Sequence, residues 1–130
     1  FNVPFGRYKN IPYLSDFSDY KRAFTGWDFL CGDFTNLKLR QTDFIYADPP
    51  YDVEFTSYAM NKFTWNDQVR TAEWLSTHPG PVILVNQATT RIQSLYRHFG
   101  FTLRYLNAPR RISRTGDRSP AREVMGTRNL

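Results

Sequence analysis

Four consecutive residues have the types and order best suited to chemistry: Asp48, Pro49, Pro50 and Tyr51. They directly follow an apolar run, Asp43 to Ala47, that is typical of a buried strand. Because proline lacks an N–H and has a fixed φ, the backbone here offers only acceptors, and the Pro49 carbonyl is expected to point outward. Asp48 adds a carboxylate acceptor, and Tyr51 adds a flat aromatic face. Two acceptors beside a stacking ring suit a planar base that carries an exocyclic amino group.

The chemistry expected at such an amine is nucleophilic attack by its nitrogen. The amine is a weak nucleophile because its lone pair is delocalised into the ring. Hydrogen bonds from its two N–H groups to Asp48 and to the Pro49 carbonyl favour the pyramidal amine and stabilise the developing positive charge. The alternative is a simple turn, since Asp-Pro often begins turns. The position after a buried strand favours a ligand site, because open α/β sheets bind ligands beyond the carboxyl ends of their strands.

The elements that must position these residues alternate between strands and helices. Four apolar runs predict strands: Trp27 to Cys31, Asp43 to Ala47, Pro81 to Val85 and Phe101 to Leu106. Three segments predict helices: one capped by Ser15 or Asp16 and ending by Gly26, one from the Thr64 cap to about Thr77, and one from Thr90 to Phe99. This order predicts an α/β fold with an open parallel sheet. The residues after Leu106, with a turn at Gly116-Asp117, predict a C-terminal β-hairpin.

Length and composition exclude several classes of protein. The 130 residues are enough for one domain, and no run approaches 18 apolar residues, so no membrane span is predicted. The single cysteine excludes an intramolecular disulfide and fits a reducing compartment. With two histidines and no His-x-x-x-His spacing, the sequence predicts no metal site.

The charge of the chain is uneven. The net charge of the chain is +5. Residues 91–130 hold nine arginines and two acidic residues, a net charge of +7, so the net charge of residues 1–90 is −2. A basic C-terminal region on a nearly neutral body indicates a polyanionic partner such as nucleic acid. The alternative is an ordinary solvated, arginine-rich surface.

Together with the opening segment Phe1-Asn2-Val3-Pro4-Phe5-Gly6-Arg7-Tyr8-Lys9, the Asp48–Tyr51 motif resembles the Dam-type (class D12) DNA adenine-N6 methyltransferases. The resemblance continues in order along nearly the whole chain, through Cys31-Gly32-Asp33-Phe34, Phe55-Thr56-Ser57-Tyr58, Phe63-Thr64, Asp67-Gln68, Val85-Asn86 and Arg111-Ile112-Ser113-Arg114. It implies a partial Rossmann-like sheet with a C-terminal β-hairpin. It also implies methyl transfer from S-adenosyl-L-methionine to the N6 amine of an adenine flipped out of double-stranded DNA.

The resemblance also implies a role for each matching residue. In the catalytic motif, Asp48 and the Pro49 carbonyl would hold the target amine, with Pro50 in the same segment, and Tyr51 would stack on the base. The residues implied in cofactor binding are Asp33, Phe34 and Asp48, and Tyr58 and Phe63 would line the target-base pocket with Tyr51. The residues implied in DNA binding are Asn2, Arg7, Tyr8, Lys9, Arg110, Arg111 and Arg114. Two alternatives stay open: Asp33 as a turn residue after Gly32, and the C-terminal arginines as a solvated hairpin.

One feature of the family is missing from this chain. Its members carry a Phe-x-Gly-x-Gly loop well upstream that holds the methionine part of the cofactor, whereas this chain has no Gly-x-Gly. We therefore expect residues 1–14 to be the end of a DNA-recognition hairpin region and residues 15–130 the C-terminal part of a catalytic domain. A missing N-terminal half or a complementing chain is expected as a partner, in the cytoplasm of a prokaryote or a phage host, near the nucleoid. The alternative functions are a non-catalytic fragment that binds DNA or a nucleotide, and a methyltransferase for amino groups in RNA.

Overall fold

The computed structural model describes residues 14–52, 63–108 and 120–130. The chain forms two compact units, which divide between Asn36 and Leu37. None of the described helices is both long enough and apolar enough to cross a membrane. The functional boundary expected between residues 14 and 15 stays a prediction.

The first unit contains the predicted short helix, α1 (Ser18–Ala23), followed by a turn of 3₁₀ helix at Phe34–Asn36. The N-cap of this helix is Phe17, without a capping side chain, so the cap predicted at Ser15 or Asp16 is wrong. The Asp16 carboxylate nevertheless accepts hydrogen bonds from the Ser18 amide and hydroxyl, at 2.9 and 2.6 Å. None of the described side chains in this unit is buried.

The strand predicted from Trp27 to Cys31 is wrong. These residues have no regular secondary structure, and the side chains of Trp27 and Phe29 are 62% and 74% exposed. A strand needs a neighbour that completes its ladder of hydrogen bonds, and no described strand pairs with this segment. Its aromatic rings instead contact Phe24, with ring centroids 4.9 Å from Trp27 and 5.8 Å from Phe29.

The second unit is built on a mixed four-stranded sheet. Its strands are β1 (Ile45–Ala47), β2 (Val82–Gln87), β3 (Thr102–Ala108) and β4 (Ala121–Arg128), in the spatial order β1-β2-β4-β3. The parallel pairing of β1 with β2 agrees with the sequence, but the wholly parallel sheet is wrong. Strand β4 lies between β2 and β3 and runs antiparallel to both. A C-terminal hairpin is present as β3 and β4, but its first arm is the Thr102–Ala108 strand and not the residues after Leu106, and the turn predicted at Gly116-Asp117 lies outside the described residues.

Two helices cover one face of this sheet, α2 (Trp65–Ser76) and α3 (Thr90–His98). The spacing of their apolar residues, about 3.6 per turn, places one row of each against the sheet. The core contains fully or nearly fully buried side chains from both helices and the central strands: Ala72, Leu75, Val82, Leu84, Ile92, Leu95, Tyr96, Phe101 and Val124. Helix α3 stops where predicted, because Gly100 adopts a φ of +78°, a backbone conformation that glycine accepts without strain.

Strand β1 is shorter and less buried than its apolar sequence predicts. Phe44 is 56% exposed and Tyr46 is 59% exposed, because β1 is the edge strand of the described sheet and the described helices cover only its other face. On the uncovered face, a groove of about 680 Å³ runs past Ile83, Arg104 and Met125. None of its lining residues belongs to the 48–52 segment, so this groove is not the predicted base site.

The turn between α2 and β2 fixes β1 beside β2. The Ile45 amide donates to the Pro81 carbonyl at 2.9 Å, and the His78 Nε2 lies 2.8 Å from the Asp43 carbonyl. Gly80 is required here, because a Cβ at this position would lie only 2.7 Å from the Asp43 carbonyl oxygen. These contacts fix the start of β1, three residues before Asp48, beside the start of β2.

Candidate functional site

The candidate site lies at the edge of the sheet where β1 and β2 end. Because these strands are parallel, Asp48 follows β1 at the same edge at which Ala88 follows β2. The connections from this edge lead into the first turns of α2 and α3, whose N-caps are Thr64 and Thr89. The folded chain therefore brings together the ends of β1 and β2, the loop after β1, and the starts of α2 and α3.

The start of α2 is built as the sequence predicts. Thr64 is the N-cap, its hydroxyl accepts from the Asp67 amide, and the Asp67 carboxylate accepts from the Thr64 amide at 2.8 Å. This reciprocal capping box satisfies two amide groups that the first turn would otherwise leave without partners. It places Gln68, one residue later, on the buried side of the helix.

Two buried amide side chains hold the backbone of the Asp48–Tyr51 loop. The Gln68 Nε2 donates to the Pro50 carbonyl at 2.7 Å, and the Asn86 Oδ1 accepts from the Asp52 amide at 2.9 Å. The two side chains are joined by a bond of 3.1 Å from the Asn86 Nδ2 to the Gln68 Oε1. The loop is therefore bonded to α2 on one side of Tyr51 and to β2 on the other.

The residue after the motif, Asp52, is anchored through its side chain as well. Its carboxylate is buried and accepts from the Thr89 hydroxyl at 2.9 Å and from the Arg91 Nε at 2.6 Å, and it forms an ion pair with the Arg91 guanidinium. The hydrogen bond to Asp52 raises the pKa of Arg91. The guanidinium also lies over the ring of Trp65, 4.7 Å from its centroid. Arg91 thus joins the loop to the first turns of both helices.

Tyr51 is half-buried, and its hydroxyl interacts with Glu123 of β4. Burial, and then the negative charges of Glu123 and Asp48, raise the pKa of Tyr51 well above its ordinary value. Tyr51 therefore stays neutral at physiological pH. The pKa of the buried Tyr96 is raised in the same direction, mainly by burial.

Asp48, the first residue of the motif, faces solvent. Its side chain is exposed, and no described residue donates a hydrogen bond to its carboxylate. Pro49 is half-buried, and its carbonyl likewise accepts from no described group, whereas the Pro50 carbonyl is engaged by Gln68. Two acceptors, one charged and one neutral, thus precede an aromatic ring in a loop whose following residues are held in place. Such an arrangement can accept two hydrogen bonds from a ligand's amino group.

The other predicted site residues are placed as follows. Asp33 lies in the first unit, where its Oδ1 accepts from the Thr35 amide and hydroxyl at 3.0 and 2.6 Å, as expected of a turn residue that begins the 3₁₀ helix. Phe34 is half-buried in that helix, and Phe63 is half-buried one residue before the cap of α2. The predicted DNA-binding residues and one base-pocket residue lie outside the described residues: Asn2, Arg7, Tyr8, Lys9, Tyr58, Arg110, Arg111 and Arg114.

Sequence reasoning gave no role to Asp52, Gln68 or Arg91, and none to Asn86 beyond its place in the matching Val85-Asn86 pair. A signal was present for two of these four residues. Asp52 is a charged residue directly after the motif, and Asn86 is a polar residue directly after the apolar run Pro81 to Val85. Gln68 and Arg91 lie on helices at ordinary polar positions, so nothing local distinguishes them. In the described part of the chain, no three His, Cys, Asp or Glu side chains form a group able to hold a metal ion.

Comparison with known proteins identifies the family. The family model for D12 class N6 adenine-specific DNA methyltransferases matches residues 1–111, which includes the whole 48–52 loop, α2 and Asn86. The chain belongs to this family. The predicted family is therefore confirmed.

Individual proteins named as DNA adenine methylases or methyltransferases are similar to the chain over most of its length. It is 38% identical to the retron Ec67 DNA adenine methylase of Escherichia coli, over 96% of this chain and 46% of that protein. It is 37% identical to a DNA adenine methylase of Vibrio cholerae, over 89% of this chain and 46% of that protein. It is 32% identical to the DNA N-6-adenine-methyltransferase of Escherichia phage P1, over 97% of this chain and 18% of that protein. The chain thus spans about half the length of the first two relatives and less than a fifth of the third.

Proposed function

We propose that this chain supplies the target-base site of an S-adenosylmethionine-dependent DNA methyltransferase that modifies the N6 amine of adenine. The observation that carries the proposal is the solvent-facing Asp48 carboxylate, placed beyond a strand end in a loop held by Gln68 and Asn86. Membership of the D12 class and the names of the relatives support the same reaction.

In this proposal the 48–51 segment binds a flipped adenine. Asp48 and the Pro49 carbonyl accept the two N–H groups of N6, which directs the nitrogen lone pair toward the methyl donor and stabilises the positive charge that forms as nitrogen is alkylated. Tyr51 stacks on the base and partly restores the stacking energy lost on flipping, and Tyr58 and Phe63 complete the pocket.

The cofactor supplies the methyl group. We assign its adenine to Asp33 and Phe34, and its reactive end to the neighbourhood of Asp48. The residues fit this assignment chemically, because a carboxylate such as that of Asp33 accepts hydrogen bonds from an amino group. Phe34, the next residue in the chain, is half-buried and supports the assignment as an aromatic ring.

The substrate and surroundings of the whole protein are part of the same proposal. We assign phosphate and groove contacts in double-stranded DNA to Asn2, Arg7, Tyr8, Lys9, Arg110, Arg111 and Arg114. We infer that the described sheet is part of a Rossmann-like domain, which the parallel β1–β2 pair and the site at their carboxyl ends support. Activity is expected to require a segment equivalent to the part of the relatives that the alignment leaves uncovered, and the protein to act in the cytoplasm of a bacterium or of a phage host.

A two-component methylation assay tests this proposal. The 130-residue chain is incubated with labelled S-adenosylmethionine, with and without a chain that holds the uncovered part of the retron Ec67 relative. Duplex DNA and duplex RNA of the same sequence are supplied separately and then digested to nucleosides. We expect label in N6-methyladenine, from DNA, when both chains are present. Label in RNA or in cytosine would overturn the proposal, and duplex binding without transfer would favour a non-catalytic DNA-binding fragment.

A further inference from the structure

We propose that Gln68 and Asn86 are positioning residues, which together hold the backbone of residues 48–52 in the geometry that presents Asp48, the Pro49 carbonyl and Tyr51 to the base. The catalytic part of this inference rests on the proposed function. The positioning part stands on the geometry of the second unit alone.

The two side chains form a continuous relay of hydrogen bonds between α2, β2 and the loop. The relay begins at the Pro50 carbonyl, which accepts from the Gln68 Nε2, and continues through the Gln68 Oε1 to the Asn86 Nδ2. It ends at the Asn86 Oδ1, which accepts from two backbone amides, those of Asp52 and Gln87, both at 2.9 Å. Each amide group therefore uses both its donor and its acceptor.

Because its two side chains are buried, the relay favours one backbone conformation of the loop. Asn86 is fully buried and Gln68 is 4% exposed, so water does not replace a partner that is removed. A buried amide without its partner costs about 1–3 kcal/mol, and the loop is therefore favoured in the one backbone conformation that satisfies every member. Apolar side chains would fill this space as well, but they would not select the direction of the Pro50 carbonyl.

The two prolines limit how far the reacting groups can move once Gln68 is bonded to the Pro50 carbonyl. The ring of Pro50 fixes its φ, so once Gln68 holds the Pro50 carbonyl, only one soft dihedral, the Pro50 ψ, remains to reorient the Pro49 carbonyl. Tyr51 lies between two anchored backbone groups, the Pro50 carbonyl and the Asp52 amide. A change at Gln68 therefore reaches the Pro49 carbonyl and the Tyr51 ring without touching the ligand.

A substitution of Gln68 by Glu separates positioning from packing. The two side chains have the same shape, but a carboxylate cannot donate to the Pro50 carbonyl, whereas a protonated carboxyl group can. The ionisable groups of this neighbourhood are Asp48, Tyr51 and Asp52 in the loop, Arg91 and Tyr96 on α3, and Glu123 on β4. Burial raises the pKa of an introduced carboxyl group, so its donor returns as the pH falls.

The positioning part is tested by amide hydrogen exchange on the 130-residue chain. In this loop Pro49 and Pro50 have no N–H, and the Asp52 amide, which donates to the Asn86 Oδ1, is the reporter. Gln68→Glu is expected to speed Asp52 exchange about tenfold at neutral pH, the effect of losing roughly 1.4 kcal/mol of protection. After correction for the intrinsic pH dependence, the difference should shrink at acid pH.

Gln93→Glu is the matched control. The Gln93 Nε2 also donates to a backbone carbonyl, that of Ala88, at 2.9 Å, but the hydrogen bonds of its side chain are to Ala88 and Tyr105, outside residues 48–52. It should leave Asp52 exchange unchanged. Wild-type exchange of Asp52 in Gln68→Glu, or equal acceleration in both variants, would overturn the inference. If Gln68→Glu does not fold, Gln68→Met removes the same donor without adding a charge, and the same comparison applies.

The catalytic part is tested in the two-component assay. Gln68→Glu should lower kcat about tenfold at neutral pH while the KM for duplex DNA stays within about twofold, because the relay orients reacting groups without binding DNA. The kcat relative to wild type should rise as the pH falls, and Gln93→Glu should keep wild-type kcat. An unchanged kcat would refute the role in catalysis. If the wild-type pair transfers no methyl group, the proposed function fails, and the exchange experiment still decides whether the relay positions the loop.

Discussion

At the scale of single residues, the candidate site combines backbone groups that are hydrogen-bonded within the protein with acceptors that are open to a ligand. Pro50 and Asp52 are bonded to buried side chains, while Asp48 is exposed and accepts from no described residue. A ligand-binding loop needs both properties, because exposed acceptors are selective only when their backbone is fixed. The same loop without the relay would be an ordinary strand-ending turn.

The role proposed for Tyr51 predicts a difference between two substitutions. Tyr51→Phe keeps the ring and loses only the hydroxyl that interacts with Glu123, whereas Tyr51→Ala removes the stacking surface. Stacking of one base on an aromatic ring contributes about 1–3 kcal/mol, so Tyr51→Ala should lower kcat/KM by roughly 5- to 150-fold more than Tyr51→Phe. Steady-state methylation of one duplex by both variants measures this difference. Equal losses would assign the role to the phenol hydroxyl.

At the scale of elements, the first turn of α2 affects the candidate site indirectly, because this helix carries Gln68. The Thr64 capping box stabilises the first turn of the helix that carries Gln68. Thr64→Ala should lower the free energy of unfolding by about 1 kcal/mol, the usual effect of losing an N-cap side chain. Chemical denaturation of the 130-residue chain measures it.

The control for this prediction lies at the other end of the same helix. Thr77 is exposed, and its hydroxyl donates to the Trp74 carbonyl at 2.8 Å. Thr77→Ala should change the free energy of unfolding by less than about 0.5 kcal/mol, as surface substitutions usually do. A Thr64→Ala effect no larger than this would contradict the importance of the cap.

The elements that the sequence predicts well are those with local signals. The Thr64 cap, the apolar spacing of α2 and the Gly100 stop of α3 all follow from residues close together in the chain. The parallel β1–β2 pair follows from the order strand, helix, strand. The position of β4 between β2 and β3 could not be predicted in this way, because strand pairing joins residues far apart in sequence. Trp27 to Cys31 resembles a strand in composition, but it has no described neighbour with which to pair.

In the candidate site, too, the part that depends on neighbouring residues could be predicted and the part that depends on distant residues could not. The motif itself is contiguous, and its position after β1 could be predicted from the apolar run before it. The relay could not, since Gln68 lies 18 residues from both Pro50 and Asn86, and only the folded backbone brings the three together. The roles of Asp33 and of the basic residues stay predictions, because they depend on ligands rather than on contacts within the chain.

At the scale of the whole molecule, the charge distribution suits a polyanionic substrate. Nine arginines lie in the last 40 residues, and the opening segment adds Arg7 and Lys9. Replacing Arg7 and Lys9 by Gln should weaken duplex binding and reduce the slope of log K against log salt by about 0.9 for each phosphate that is no longer neutralised. Fluorescence anisotropy at several salt concentrations measures the slope.

A variant of the same net charge controls for the overall electrostatic field. Lys21 and Lys38 are exposed residues without a proposed role, and replacing both by Gln removes as much positive charge as the Arg7 and Lys9 pair. This control should leave the slope nearly as in the wild type. Equal slopes for the two double variants would remove Arg7 and Lys9 from the interface.

The most direct test of the proposed mechanism is the effect of Asp48→Asn on methyl transfer and on DNA affinity, measured separately. The change keeps the shape of the side chain and removes the charge that would stabilise the alkylated amine. We expect kcat to fall by about 10²- to 10³-fold, while the Kd for duplex DNA stays within about twofold. Glu73→Gln, which neutralises an exposed carboxylate on α2, should change neither value. Methyl transfer by Asp48→Asn at a near wild-type kcat, or a loss confined to DNA affinity, would contradict the central claim.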